Sequence, residues 1–229
     1  MPSFVTEFLA EYGELLAEGL GDTLAMLFVS TAIAYVLGIV LGVVLYLTAP
    51  GSLRPMSVLN AVLGWVVNIG RSLPFIILLI SIMPVTEALV GTTSGVLGVI
   101  PPLVVSTAPF VARMIEQSLA EVPRESVEAA EACGASIPRV VFSALLPEGL
   151  PSIVRGVSIT LIAALGYTAI AGAVGAGGLG DIAIRYGYYR YQDQMMIVTV
   201  VLLIVLVQVI QSVCDIIARK IDHRTSSTQ

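Results

Sequence analysis

The order of apolar and polar positions divides the chain into five long apolar stretches joined by short polar ones. The first runs from Thr23 to Leu47 and stops at the Ala-Pro-Gly turn of residues 49–51. The second, Val58 to Val85, is interrupted by Asn68, Arg71 and Pro74. The third, Gly95 to Ile115, carries Pro101, Pro102 and Pro109. The fourth is Ile153 to Val174 and the fifth Met196 to Ala218. An α-helix crosses the hydrocarbon layer of a bilayer with about 20 apolar residues, so each stretch is long enough. The alternation that marks a membrane β-barrel is absent. The pattern predicts an all-α integral membrane protein with five transmembrane helices.

Composition sharpens this. Of 229 residues, 57% are hydrophobic and 12% charged, about half the charge of a soluble domain. A soluble enzyme and a disordered tail are excluded, and a net charge of −5 offers no footprint for nucleic acid. Cys133 and Cys214 are too few for a disulfide framework. The acidic start (Glu7, Glu11, Glu14, Glu18, Asp22, with no Lys or Arg) does not resemble a secretory leader. Within it Phe4, Phe8, Tyr12, Leu15 and Leu16 recur at helical spacing, predicting an amphipathic interfacial segment over residues 1–22. Residues 23–219 then form the membrane domain, and 220–229 a tail.

The basic residues set the orientation. With five spans, Arg54, Arg113, Arg124, Arg139, Arg155, Arg219, Lys220 and Arg224 fall on one side; Arg185 and Arg190 fall on the other. Lysine and arginine concentrate in cytoplasmic segments, which predicts an external N-terminus and a cytoplasmic C-terminus. Arg71 lies inside a span, where an arginine costs about 2.5–3.5 kcal/mol on insertion scales. It can line a break with Pro74, or snorkel from an interfacial helix over Met56 to Gly70; the sequence leaves both open.

The longest polar stretch, residues 117–149, falls on the cytoplasmic side of this topology. Pro123 suits a first helical turn, the run Arg124 to Cys133 is rich in helix formers, and Gly134 is a natural stop. Ser136 can cap a second helix with Pro138 in its first turn, ending at Leu146 before Pro147. A helix-turn-helix with a surface of small residues suits docking into a groove on another protein.

Glu128-Ala129-Ala130, followed by Gly134 and Leu146-Pro147, resembles the EAA signature of ABC importer permeases, differing at Ala144, where the family pattern has isoleucine. The segments Val67 to Leu79, Ala108 to Met114 and Gly172 to Gly180 are similar to the permeases of bacterial methionine importers. The resemblance covers nearly all of residues 20–219. It implies a type I importer of five spans per chain, with a second copy of this chain, two ABC ATPase subunits and an external methionine-binding lipoprotein. It also implies that the EAA loop couples the permease to the ATPases, which bind ATP and Mg, and that the fourth helix lines the pathway. In that helix Thr160, Tyr167, Thr168 and Ile170 are the candidate pathway or gate residues.

Other motifs carry less. Gly175-Ala-Gly177-Gly-Leu-Gly180 fits a dinucleotide pattern, but it ends a membrane span instead of linking a strand to a helix. Close packing and a turn at the outer mouth suit it better. Gly178-Leu-Gly180-Asp181 spells an intramembrane protease motif, yet such chemistry needs two carboxylates sharing a proton, and the bilayer separates Asp181 from Asp215. No phosphate-cradling G-x-x-x-x-G-K-[ST] occurs, and His223 is the only histidine. The chain is therefore read as a transport subunit with no catalytic residue, metal or cofactor of its own. Besides lipid, the partners that the resemblance implies are an ATPase, its own second copy and the lipoprotein. Import of another amino acid or a small peptide is the near alternative. A membrane scaffold or sensor recruiting a cytoplasmic partner is the alternative from another class, and a neighbouring gene for an ATPase would separate it from an importer.

Overall fold

The computed structural model describes residues 2–221; the tail from Asp222, with His223, lies outside them, as does the Phe4 side chain. Every element among the described residues is helical. In order these are α1 (Pro2–Thr48), α2 (Ser57–Ser72), α3 (Phe75–Ser81), α4 (Met83–Val90), α5 (Gly95–Ala120), α6 (Arg124–Ala132), α7 (Ile137–Val140), α8 (Leu146–Gly172), α9 (Gly178–Ile182) and α10 (Asp193–Ile221). Two π-helical turns, Val141–Leu145 and Ala183–Tyr188, follow α7 and α9. Four helices are long and apolar enough to cross a membrane, and the bent pair α2–α3 brings the number to five. Val36, Val58, Leu89 and Ile197 are each more than 60% exposed, a surface suited to hydrocarbon.

Three boundaries differ from the sequence expectation, each for a local reason. No break sets the acidic segment off from the first span: α1 continues unbroken from Pro2 to Thr48. Only Gly13, Gly19 and Gly21 could weaken it before the span, and each costs a helix only about 1 kcal/mol. The second apolar stretch is not one helix. Pro74 forces Leu73 into extended backbone (φ −79°, ψ 126°), and the chain bends by 103° between α2 and α3. Finally, the second helix of the polar loop does not stop at Leu146. It continues through Pro147 and Pro151 as one run, Ile137–Gly172. A proline ring clashes with the carbonyl four residues earlier; for Pro147 that is Ser143, inside the π turn, where Leu146 N–H already bonds five residues back to Val141. The π turn accommodates the proline.

Contacts group the residues into two compact units whose boundaries fall inside α1, α5, α8 and α10. The first contains the chain up to Ala32, Pro74–Val105 and Leu161–Val209. Its core gathers Met26, Phe75, Leu79, Val99, Leu103 and Ala171, with Phe75 stacked on Tyr167 at 4.9 Å between ring centroids. A second cluster joins Leu16, Ile182 and Met195. Beside it the Arg190 guanidinium lies 4.4 Å from the centre of the Tyr186 ring.

The second unit contains Ile33–Leu73, Ser106–Thr160 and the described residues from Ile210. Here α1 and α5 approach closely through Gly38 and Gly42, a G-x-x-x-G pair. A Cβ on Gly38 would sit 2.5 Å from Val111 Cγ1, and one on Gly42 2.6 Å from the Ala112 carbonyl oxygen. Tyr35 and Thr160 hydroxyls share a hydrogen bond (3.2 Å) between α1 and α8. The Asn60 side-chain amide donates to the Leu45 carbonyl (2.8 Å), fastening α2 to α1.

Candidate functional site

The polar loop builds an exposed platform on a buried anchor. Pro123 precedes the first turn of α6, whose Val127 is buried with Val122, Val140, Val141 and Leu145 in the largest apolar cluster of its unit. Glu125, Glu128, Ala129 and Glu131 are exposed around it. The helix ends by a complete glycine cap. Gly134 takes φ +74°, its N–H donates to Glu131 (2.8 Å), and the Ala135 N–H donates to Ala130 (3.1 Å). These two bonds are the Schellman pattern, which satisfies carbonyls the helix end leaves free. Ser136 stands at the N-cap of α7 in extended backbone, yet its hydroxyl makes no capping bond; the sequence overstated its role.

Glu128, Ala129 and Ala130 thus occupy the last turns of α6, Gly134 its stop, and Leu146 and Pro147 the start of α8. Leu146 packs on the apolar cluster and Pro147 is exposed. Beside α6 lies a cleft of about 460 Å³ bordered by Tyr46, Ser52, Glu116, Arg124, Glu128 and Glu131. Its open acidic rim suits reception of a basic or amide-bearing protein edge.

The four candidates in the fourth span differ in exposure within the single chain. Thr160 and Thr168 are buried within the chain (0% and 2% exposed). Thr160 donates to the Gly156 carbonyl (2.9 Å) and Thr168 to that of Leu165 (2.8 Å). Tyr167 is half-buried against Phe75. Ile170, one turn on, is 43% exposed, on the same side as Ile159 and Gly166. Arg71 stands exposed in the last turn of α2, next to the break.

The glycine-rich segment is a packed turn. Gly175, Gly177 and Gly178 all have φ above +80°. Thr23 of α1 holds it: its hydroxyl donates to Gly19 (2.8 Å) and accepts the Leu179 N–H (2.9 Å). Asp181, buried at its end, is paired with Arg185, an ion pair and not a shared-proton dyad. Sequence reasoning missed Thr23, the Gly38/Gly42 pair, and Arg113, whose guanidinium bonds Glu116 (2.6 Å) and Asn68 (3.2 Å). The four-residue glycine spacing was the one available signal among these.

A bundle of membrane-crossing helices carrying an exposed, glycine-capped helix between two crossings defines a membrane permease component. Residues 34–227 match the family of binding-protein-dependent transport system inner membrane components, and the chain belongs to that family. It is 48% identical over 220 residues (96% of this chain, 98% of the relative) to a probable D-methionine transport system permease protein of Vibrio cholerae. It is 42% identical over 180 residues (79% and 81%) to a methionine import system permease protein of Bacillus subtilis. Its structure is similar to a chain of an inward-facing MetNI methionine ABC transporter, with TM-score 0.92, 45% identity, and 93% and 99% coverage.

Proposed function

We propose that the chain is the permease subunit of an ATP-driven methionine importer. The observation that carries this is the near full-length likeness to permeases named for methionine transport, supported by the exposed α6 platform. In this reading two copies of the chain assemble about a two-fold axis with two ABC ATPase subunits, which bind ATP and Mg, and receive methionine from an external binding lipoprotein. The N-terminus lies outside and α6 in the cytoplasm, following the basic residues.

The work of this chain is then mechanical. Glu128, Ala129, Ala130 and Gly134 enter the ATPase groove, and Val127 transmits displacement of α6 to Val140, Val141 and Leu145 at the head of the helix that ends at Gly172. Closure of the ATPases shifts the population between inward- and outward-open states. Tyr167 and Ile170 are the pathway candidates that the single chain leaves accessible, while Thr160 and Thr168 hold α8 in register.

Proteoliposomes containing the permease, its ATPase and the binding protein test this. Wild type is expected to concentrate labelled methionine with ATP. Glu128→Arg is expected to reduce uptake at least tenfold while methionine capture by the binding protein is unchanged. Equal uptake by Glu128→Arg would remove α6 from the coupling role, and no uptake by wild type would return the scaffold reading.

A further inference from the structure

We propose that the groove between the end of α1 and the α7–π segment is a binding site for an anionic phospholipid, with its acyl chain in the groove and its phosphate at Arg139. The groove, about 290 Å³, is walled on one side by the α1 ridge from Ile39 to Leu47 and on the other by side chains between Ile137 and Leu146. Every lining residue is apolar, Pro138 and Phe142 among them. Phe142 is 73% exposed and Val40 61%, so the concavity is open.

Its position says what fills it. The α1 wall is the last part of the first span before the turn at Ala49–Pro50–Gly51, where hydrocarbon meets headgroups. In the topology proposed above, this puts an apolar concavity at the cytoplasmic boundary of the bilayer, where lipid tails fill it better than water. Arg139 supplies the charge. It follows groove-lining Pro138 and precedes Phe142 by three residues, so it flanks the same helix face one turn nearer the loop. It is exposed, and its guanidinium is in no ion pair among the described residues. An unpaired cation at the loop end of an apolar groove is the complement of a lipid with a negative headgroup.

The occupant would touch moving parts. Val141 lines the groove and also belongs to the apolar cluster that holds Val127 of α6, so a seated lipid would stiffen the joint between the platform and α8.

The test is photo-crosslinking in proteoliposomes holding the permease with its ATPase. The probes are phosphatidylglycerol and phosphatidylcholine, each with a photoactivatable acyl chain, at equal mole fraction. The peptide containing Phe142 is expected to take up about fivefold more phosphatidylglycerol than phosphatidylcholine, the ratio for about 1 kcal/mol from one basic residue. Arg139→Gln should bring the two probes level. Val40→Trp, which fills the groove from its exposed side, should abolish labelling of this peptide by both. Labelling of α10 near Ile204 reports that each variant is folded and inserted. Equal labelling of wild type by the two probes would reduce the site to ordinary lipid contact. Absence of labelling at Phe142, with α10 labelled, would mean that protein covers the groove, a second copy of the chain included. Either result overturns the proposal.

Discussion

Two of the glycine turns among the described residues differ in what surrounds their glycines. At Gly134 the residue is needed for its backbone. Its φ is +74°, and a Cβ there would meet nothing within 4 Å. In the turn from Gly172 to Gly180, where Gly175, Gly177 and Gly178 likewise have φ above +80°, glycine is needed for space as well. A Cβ on Gly180 would come 2.5 Å from the Ala169 carbonyl oxygen, and one on Gly178 2.7 Å from Thr23 Oγ1. The first turn is open and projects a helix; the second is closed and seals a core. A glycine in a sequence therefore carries two distinct messages, conformational freedom and close approach, and only the structure tells them apart.

Substitution can break this contrast. The largest effect is expected for Gly180→Ala, because the atom in the way is backbone and cannot rotate aside. Overpacking of this kind costs about 1–3 kcal/mol, occasionally more, and thermal unfolding in detergent should show a clear loss with reduced yield. Next is Thr23→Ala, which leaves the buried Leu179 N–H without its partner, a loss of about 1–3 kcal/mol. Thr23→Ser should keep most of it, and equal stability of the alanine and serine variants would show that the hydroxyl does not hold the turn.

Gly134→Val sharpens the other side. A β-branched residue in left-handed backbone costs about 1–2 kcal/mol, yet with open space around it the spans should stay folded. The expected result is normal membrane insertion with ATP-driven uptake lost, and Gly134→Asn, which tolerates this backbone better, should retain more uptake. If Gly134→Val instead lowers membrane yield as much as Gly180→Ala, the distinction between open and closed turns fails. The smallest effect is expected for Tyr35→Phe. The bond to Thr160 links two helices, and such bonds contribute about 0.6 kcal/mol on average in a membrane protein, detectable as a small change in unfolding by denaturant.

The apolar stretches were legible because a bilayer imposes a length, and no soluble constraint competes with it. The stop at Gly134 was equally legible, since helix formers run up to a glycine that nothing else explains. What misled was proline. Pro74 does break its segment, at an interruption the sequence shows, but the 103° bend that follows from it was not legible. Pro147 breaks nothing, because the extra residue of the π turn ahead of it removes the clash. Nothing in composition distinguishes the two. The four candidates of the fourth span differ in exposure within the single chain for a similar reason. Thr160 and Thr168 are polar by composition but satisfy themselves on their own helix backbone, so polarity within a span marked packing, not accessibility.

The π turn at Val141–Leu145 has a consequence for how this gene can vary. Five-residue hydrogen bonding takes up one more residue in a turn than four-residue bonding does, so the helix holds a spare residue between Gly134 and Pro147. Losing one codon there would relax the turn to ordinary α-helix and keep the later side chains on their bearing, but it would return the clash of Pro147 with the carbonyl four residues earlier. The same loss two turns further on would swing those residues by about 100°. A one-residue deletion at that turn should therefore be found only together with replacement of Pro147, and deletions beyond it should be purged.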